Sequence, residues 1–220
     1  MKILIFIISL LLLTSCVELI DDITIHSDGS CTFKYSINLS SSKSKVTSIL
    51  ALDSINGKKV PKTSEIKQKI LDFKTQLSKQ PGIKNVSVEY NFQDYIFKMS
   101  CDFDNVENLQ TAIESTIEKI TERKITNNID WLNWSESKLE RNIPDVTSDR
   151  FQNSSWVESE LLKTGTYTSI SRFDKPIESF SNLLSKVSIS KTAIMIQVNT
   201  EEMFNNPMIL KNKILLEGGK

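Results

Sequence analysis

Three cysteines, Cys16, Cys31 and Cys101, are the side chains of this 220-residue chain with the widest chemical scope. A thiol can accept an acyl group, ligate a metal or pair in a disulfide, and its surroundings decide among these. Cys16 stands directly behind an apolar run, whereas the other two lie in segments that alternate between apolar and polar residues. We therefore expect a covalent modification at Cys16 and a packing or disulfide role for Cys31 and Cys101.

The sequence contains few residues that could form a catalytic or metal-binding site. His26 is the only histidine, which excludes sites that need two histidine ligands or a histidine pair. The chain has no GxSxG, HExxH or CxxC motif and no glycine-rich phosphate loop. Acidic pairs such as Asp21 and Asp22 are expected by chance where 25% of residues are charged. We expect a protein that is not an enzyme and that holds no metal or cofactor.

Residues 1–16 have the pattern of an export signal. Lys2 precedes an apolar run at residues 3–13, which has the length of a signal-peptide core. A membrane-spanning helix would need about twenty apolar residues. The tetrapeptide LTSC at residues 13–16 resembles the bacterial lipobox, which implies that residues 1–15 are removed and that Cys16 becomes the acylated first residue. The alternative is an ordinary signal peptide followed by an incidental buried cysteine.

The charge balance restricts the partners. Twenty-seven basic residues face twenty-seven acidic ones, and removal of residues 1–15 would take away Lys2 alone among them. A near-neutral chain argues against nucleic acid and against a polybasic grip on anionic lipid. We expect an exported protein that is attached to the bacterial cell envelope by its N-terminal lipid. The sequence does not decide between the inner and the outer membrane.

Two hairpins and two helices are predicted to follow the signal. Residues 17–40 and 86–103 carry the alternation of hairpin strands, and residues 63–80 and 104–124 carry the spacing of amphipathic helices. Asp21 interrupts the apolar face of the first strand. The order predicts an α+β fold in which an antiparallel sheet of hairpins has the helices packed on one face.

The remaining chain is divided into two segments. Residues 125–164 lose the periodicity and are predicted to be an irregular, partly helical connection. Strand signals return in residues 165–220, which are expected to extend the first sheet or to form a second one within the same domain. The predicted organisation is thus a signal at 1–15, a hairpin-helix-hairpin-helix unit at 16–124, the connection and a strand-rich end.

Cys31 and Cys101 fall on the apolar faces of predicted strands, beside large aromatic residues. A disulfide becomes possible if the two hairpins are neighbours in one sheet. We expect two reduced, buried thiols instead, because free cysteine packs as a small hydrophobic residue.

All three tryptophans, Trp131, Trp134 and Trp156, lie in the least periodic third of the chain. Indole rings in a long connection can form a recognition surface for a partner protein, lipid or glycan. The alternative is that the rings pack over the core. We place the candidate recognition surface on these three residues.

The segment VELIDDITIHSDGSCTFKYSINL at residues 17–39 resembles small bacterial envelope lipoproteins, including mycobacterial LppM-type proteins. A weaker similarity covers YTSISRFDKPIESFSN at residues 167–182. The resemblance implies an envelope lipoprotein without an assigned activity, with lipid or partner recognition suggested for some relatives.

Two functions follow from these observations. The first is a non-enzymatic lipoprotein that binds another envelope component. The alternative is a carrier or sensor of a lipid or other apolar ligand held between sheet and helices. A cavity of several hundred Å³ would favour the carrier, whereas a filled core with an exposed aromatic patch would favour the first function.

Overall fold

The computed structural model describes residues 17–55, 57–121, 131–142 and 163–219. The strands are β1 (Glu18–Ile25), β2 (Cys31–Asn38), β3 (Ser54–Ile55), β4 (Lys58–Lys59), β5 (Ile83–Asn91), β6 (Ile96–Phe103), β7 (Leu132–Ser135), β8 (Lys138–Arg141), β9 (Thr166–Phe173), β10 (Ile177–Phe180), β11 (Lys186–Val187), β12 (Ala193–Asn199) and β13 (Asn212–Leu216). The α-helices are α1 (Lys43–Leu50), α2 (Thr63–Leu77), α3 (Val106–Thr121) and α4 (Thr200–Asn205), and two 3₁₀ helices span Ser40–Ser42 and Pro207–Leu210.

Local sequence signals explain the ends of these elements. Gly29 turns β1 into β2 with φ of 87°, a conformation that glycine adopts without steric cost. Between β5 and β6, Asn91 Oδ1 accepts hydrogen bonds from the backbone N–H groups of Gln93 and Asp94. At the start of α2, Glu65 accepts the N–H of Lys62 at 2.8 Å, which satisfies a backbone donor that the helix leaves open.

Seven strands form the large sheet in the order β11-β12-β9-β1-β2-β6-β5. All neighbours in it are antiparallel except β1 and β9, which run parallel. The two predicted hairpins are therefore adjacent, and the C-terminal strands extend the sheet beyond β1. The predicted α+β class is confirmed.

A second sheet has the order β10-β13-β8-β7. Its β7–β8 hairpin lies at residues 131–142, where the sequence predicts an irregular, partly helical connection. That prediction is corrected there, because two four-residue strands are too short to show a clear period and Arg141 breaks the alternation. The rest of the predicted connection, residues 125–130 and 143–162, lies outside the described residues.

One core lies between the large sheet and a covering layer of α2, α3 and the second sheet. Its sheet side includes Ile23, Phe33, Cys101 and Phe103, all buried. The covering layer contributes Leu77 from α2, Val106, Leu109 and Ala112 from α3, and Leu132, Leu139, Ile177, Ile214 and Leu216 from the second sheet. A smaller cluster packs α4 and the second 3₁₀ helix against β9 and β12.

The opposite face of the large sheet is polar. Lys34, Lys98, Arg172 and Gln197 on this face are exposed. Helices therefore cover one face of the sheet, as the sequence predicts. In the part of the chain that the structure describes, no helix has the length and apolar character needed to cross a membrane.

Candidate functional site

A groove of about 410 Å³ lies between helix α2 and the large sheet. Nearly all of its walls are apolar. Helix α2 contributes Ile66, Ile70 and Phe73, β2 contributes Tyr35 and Ile37, and β5 and β6 contribute Val88, Phe97 and Met99. Each of these eight side chains is only partly buried, so the groove opens to solvent.

The groove is a wedge, because α2 is held closely to the sheet at one end only. Leu77, in the last turn of the helix, has no exposed surface and belongs to the main core. Ile66 and Ile70, nearer the start of α2, stay partly exposed. Ile37 pairs with Phe97 at the end of the sheet where β1 begins. The wide mouth of the groove therefore faces that end of the sheet.

One lysine, Lys69 on α2, lies at the rim of the groove. Its side chain is exposed and forms no ion pair or side-chain hydrogen bond with another described residue. Lys98 on β6 alternates with the lining residues Phe97 and Met99, so its side chain lies on the opposite, polar face of the sheet. The rim of the apolar groove thus carries one lysine that no described carboxylate neutralises.

Tyr35 lines the groove and lies opposite the buried acid Asp21 in the pairing of β1 with β2. Burial, together with the negative charge of Asp21, raises the pKa of Tyr35 to about 12. The phenol is therefore neutral at physiological pH and can only donate or accept a hydrogen bond. Among the described residues, none forms a hydrogen bond with this hydroxyl group.

A buried polar cluster of Asp21, Arg141, Tyr167 and Ser169 lies between the two sheets. Arg141 Nη2 donates to Asp21 Oδ2 and to the Tyr167 hydroxyl, each at 2.7 Å. Arg141 Nη1 donates to Ser169 Oγ at 2.6 Å, and the Tyr167 hydroxyl donates to Asp21. Among the described residues, Arg141 Nε has no hydrogen-bond partner.

The cluster keeps its charges despite its burial. Burial alone would lower the pKa of Arg141, but the charge and hydrogen bonds of Asp21 outweigh it and raise the pKa. Burial raises the pKa of Tyr167 well above its ordinary value, so the phenol stays protonated. The cluster is thus an ion pair with a neutral phenol, and its geometry joins β1 and β9 to β8.

Arg141 and Tyr167 were not recognisable from the sequence as members of a site. The available signal was Asp21, an acid on the apolar face of β1, which implies a buried basic partner. Nothing in the sequence identifies that partner as Arg141, which lies 120 residues away along the chain.

The structure describes only some of the predicted site residues at the N-terminus and in the connection. Cys16 and Trp156 lie outside the described residues. Trp131 and Trp134 are partly buried and pack against the main core. The ring of Trp134 stacks on Phe173, with centroids 6.1 Å apart and planes 14° apart. Trp131 and Trp134 therefore do not form an exposed aromatic patch.

Cys31 and Cys101 are free, buried thiols on neighbouring strands. Cys31 lies opposite Phe103 and Cys101 opposite Phe33, so the two cysteines are diagonal neighbours. Diagonal positions are about 7–8 Å apart, which is longer than most disulfides span. Burial raises the pKa of Cys31 to about 12 and of Cys101 to about 11, so both are protonated and unreactive at neutral pH.

His26 lies at the tip of the first hairpin, where the sequence analysis expects no metal site. Its Nδ1 lies 3.1 Å from Asp174 Oδ1, and both side chains are about half exposed. The described residues contain no group of three or more His, Cys, Asp or Glu side chains that could hold a metal ion.

Comparisons with known proteins identify no family for this chain. No protein-family profile matches it, and no curated protein matches it either. Among solved structures, it is similar to the NMR structure of the folded domain of LppM from Mycobacterium tuberculosis. That similarity has a TM-score of 0.42 at 10% identity and covers 91% of this chain and 90% of the LppM chain.

Proposed function

We propose that this protein is a lipid-anchored envelope protein without enzymatic activity, and that it carries or senses an apolar ligand in the α2 groove. The groove is the observation that carries the proposal. Its volume of about 410 Å³ lies within the range of small-molecule sites, about 300–1,000 Å³, and its walls are almost wholly apolar. A ligand that covers these walls removes apolar surface from water, which is the driving force for binding.

The wall residues also indicate the shape and charge of the ligand. A groove with apolar walls between a helix and a sheet suits a hydrocarbon chain. Lys69 at the rim suits an anionic group at the end of that chain, because it presents an ammonium group without a described carboxylate partner. The neutral hydroxyl of Tyr35 adds a hydrogen bond. Among the described residues, the lining contains no acid, histidine or thiol that would serve as a general base or nucleophile, which is why we propose binding rather than catalysis.

The proposed anchor agrees with a ligand of this kind. Lipidation at Cys16 would hold the domain at a membrane, where acyl chains are abundant. Val17 follows directly, and its carbonyl already accepts a hydrogen bond from Thr166 N–H at 2.7 Å. The tether between the lipid and the large sheet is therefore very short.

The first function from the sequence analysis, binding of another envelope component through the tryptophans, stays a prediction. It needs exposed indole rings, and Trp131 and Trp134 are half-buried against the core. No specific observation favours it over the groove.

Photo-crosslinking with a diazirine-bearing palmitic acid tests the proposal. The acylated full chain is placed in vesicles with this probe, irradiated and digested, and the labelled peptides are identified by mass spectrometry. We expect label in residues 63–77 and 96–103. Label spread evenly over the surface would contradict a groove site.

Adjacent residues on α2 provide a matched pair of variants. Ile70 lines the groove, whereas Leu71 is exposed on the solvent side of the same helix. Ile70→Asn should reduce labelling several-fold, and Leu71→Asn should leave it unchanged. Both variants should keep the circular dichroism spectrum of the wild type, since neither side chain is fully buried. Equal labelling of the two variants would contradict the proposal.

A further inference from the structure

Three large apolar side chains, Leu183, Leu184 and Met208, are exposed near one end of the large sheet. Leu183 is 97% exposed and Leu184 48%, both in the loop between β10 and β11. Met208, in the 3₁₀ helix Pro207–Leu210, is 55% exposed. These three side chains therefore leave apolar surface open to water.

The loop that displays Leu183 is held firmly to the domain. Asn182 Nδ2 donates to the carbonyl oxygens of Ile209 and Lys211, at 2.8 and 2.9 Å. Asn212 is only 2% exposed, and its Oδ1 accepts the N–H of Asn182 at 3.0 Å. These bonds join the loop to the 3₁₀ helix that carries Met208. The exposure of Leu183 is therefore a built feature of the fold.

This end of the molecule is also where the chain leaves Cys16. Val17 O accepts the N–H of Thr166 at the start of β9, and Gly165 O accepts the N–H of Thr200 at the start of α4. Leu210, at the end of the 3₁₀ helix, packs with Tyr167 and Val198 near the same ends of β9 and β12. The apolar loop, the 3₁₀ helix and the start of β1 thus share one end of the large sheet.

The two chain segments that carry these side chains are basic, and the acids Glu18, Glu201 and Glu202 lie in other segments at the same end of the sheet. Residues 179–192 contain Lys186 and Lys191 and no acid, and residues 203–216 contain Lys211 and Lys213 and no acid. Lys186 and Lys211 form no ion pair with another described residue. Apolar tips beside unpaired lysines match a bilayer surface, where acyl chains lie beneath phosphate groups.

We infer that Leu183, Leu184 and Met208 dip into the membrane to which Cys16 is anchored, with Lys186 and Lys211 beside lipid phosphates. This inference rests on the proposed lipid anchor. It fixes the orientation of the domain, with the start of β1 at the bilayer. The wide mouth of the α2 groove lies at the same end of the sheet, so an acyl chain would enter the groove directly from the membrane.

A fluorophore that reports on depth tests the inference. Leu183→Cys is introduced into the acylated full chain, labelled with the environment-sensitive dye NBD and reconstituted into vesicles of phosphatidylcholine and phosphatidylglycerol. The thiols of Cys31 and Cys101 are buried and do not compete for the dye. Lipids that carry a nitroxide near the headgroup should quench the dye, and its emission should shift to the blue.

Ile189→Cys is the matched control. Ile189 is as exposed as Leu183, but its turn lies at the opposite end of the sheet, where Phe173 N–H bonds to Thr192 O. Nitroxide lipids should quench the dye at Leu183→Cys several-fold more strongly than the dye at Ile189→Cys. Equal quenching at the two positions would overturn the inference.

Flotation of the same vesicles separates failure of the inference from failure of the anchor. If the protein floats with the vesicles and the dye at Leu183→Cys stays in water, the inference alone is overturned and the anchor stands. If the protein does not float, the anchor at Cys16 is wrong, and the inference that rests on it is overturned with it.

Discussion

Arg141 Nη2 lies 2.7 Å from Asp21 Oδ2, and this buried ion pair joins the second sheet to the large sheet. Both side chains are nearly removed from water. Removing water from two charges is expensive, and the pair is tolerated because Tyr167 and Ser169 supply further hydrogen bonds. The contact therefore specifies how the two sheets are aligned more than it adds to stability.

Asp21→Asn should lower the free energy of unfolding by about 3–5 kcal/mol, because it leaves the Arg141 guanidinium buried without a counter-charge. Chemical denaturation in urea measures this loss. The double variant Asp21→Leu with Arg141→Met should lose less than Asp21→Asn alone, since it removes both charges together. If the double variant lost as much free energy of unfolding as Asp21→Leu and Arg141→Met lose singly and in sum, the two residues would not be coupled.

Trp134→Ala should lower the free energy of unfolding by about 2–3 kcal/mol, less than the loss for a fully buried tryptophan. The variant removes the stacking on Phe173 and opens a gap beside the main core. Thermal unfolding measures the effect, with the exposed residue Leu183→Ala as a control that should change little. An unchanged melting curve, with loss of capture of a partner from envelope extracts, would restore the tryptophans as a recognition surface.

The buried thiols should make the fold sensitive to alkali. Burial raises the pKa of Cys31 to about 12 and of Cys101 to about 11, whereas an unfolded thiol titrates near about 8.5. At a pH between the pKa of the unfolded thiol and that of the folded thiol, the folded state binds more protons than the unfolded state. Stability is therefore fully present below about pH 8.5 and falls as the pH rises towards 11.

The fall should reach up to about 1.4 kcal/mol per pH unit for each thiol, as measured by urea denaturation between pH 8 and 11. The variant with Cys31→Ala and Cys101→Ala should show a shallower dependence on pH.

The intact mass under non-reducing conditions should be that of the dithiol. A mass lower by two hydrogens would reveal a disulfide and contradict this prediction.

Cys16→Ser should abolish acylation at the lipobox and leave the precursor unprocessed at that site. Metabolic labelling with an alkyne-bearing fatty acid, followed by fluorescent detection, measures the acylation. Cys31→Ser is the control, because its thiol is buried and is not expected to accept an acyl chain. If Cys16→Ser were labelled and processed like the wild type, the lipoprotein hypothesis would be wrong.

The sequence by itself determined the elements whose signals are local. The alternation of β2, β5 and β6 and the helical spacing of α2 and α3 are each contained within about twenty residues, so the periodicity alone predicts them. The α+β class follows from their order. The signals weaken where strands are short, and the β7–β8 hairpin was for that reason predicted to be irregular.

Only the tertiary structure decided which distant elements meet. The parallel pairing of β1 with β9 joins residues that are almost 150 positions apart, and the contact of Asp21 with Arg141 spans 120 positions. Periodicity carries no information on partners at that separation. The groove is likewise a property of the tertiary structure. It arises from the placement of α2 relative to the sheet. The identities of Ile66, Ile70 and Phe73 do not predict it, because the same side chains could equally have packed in a closed core.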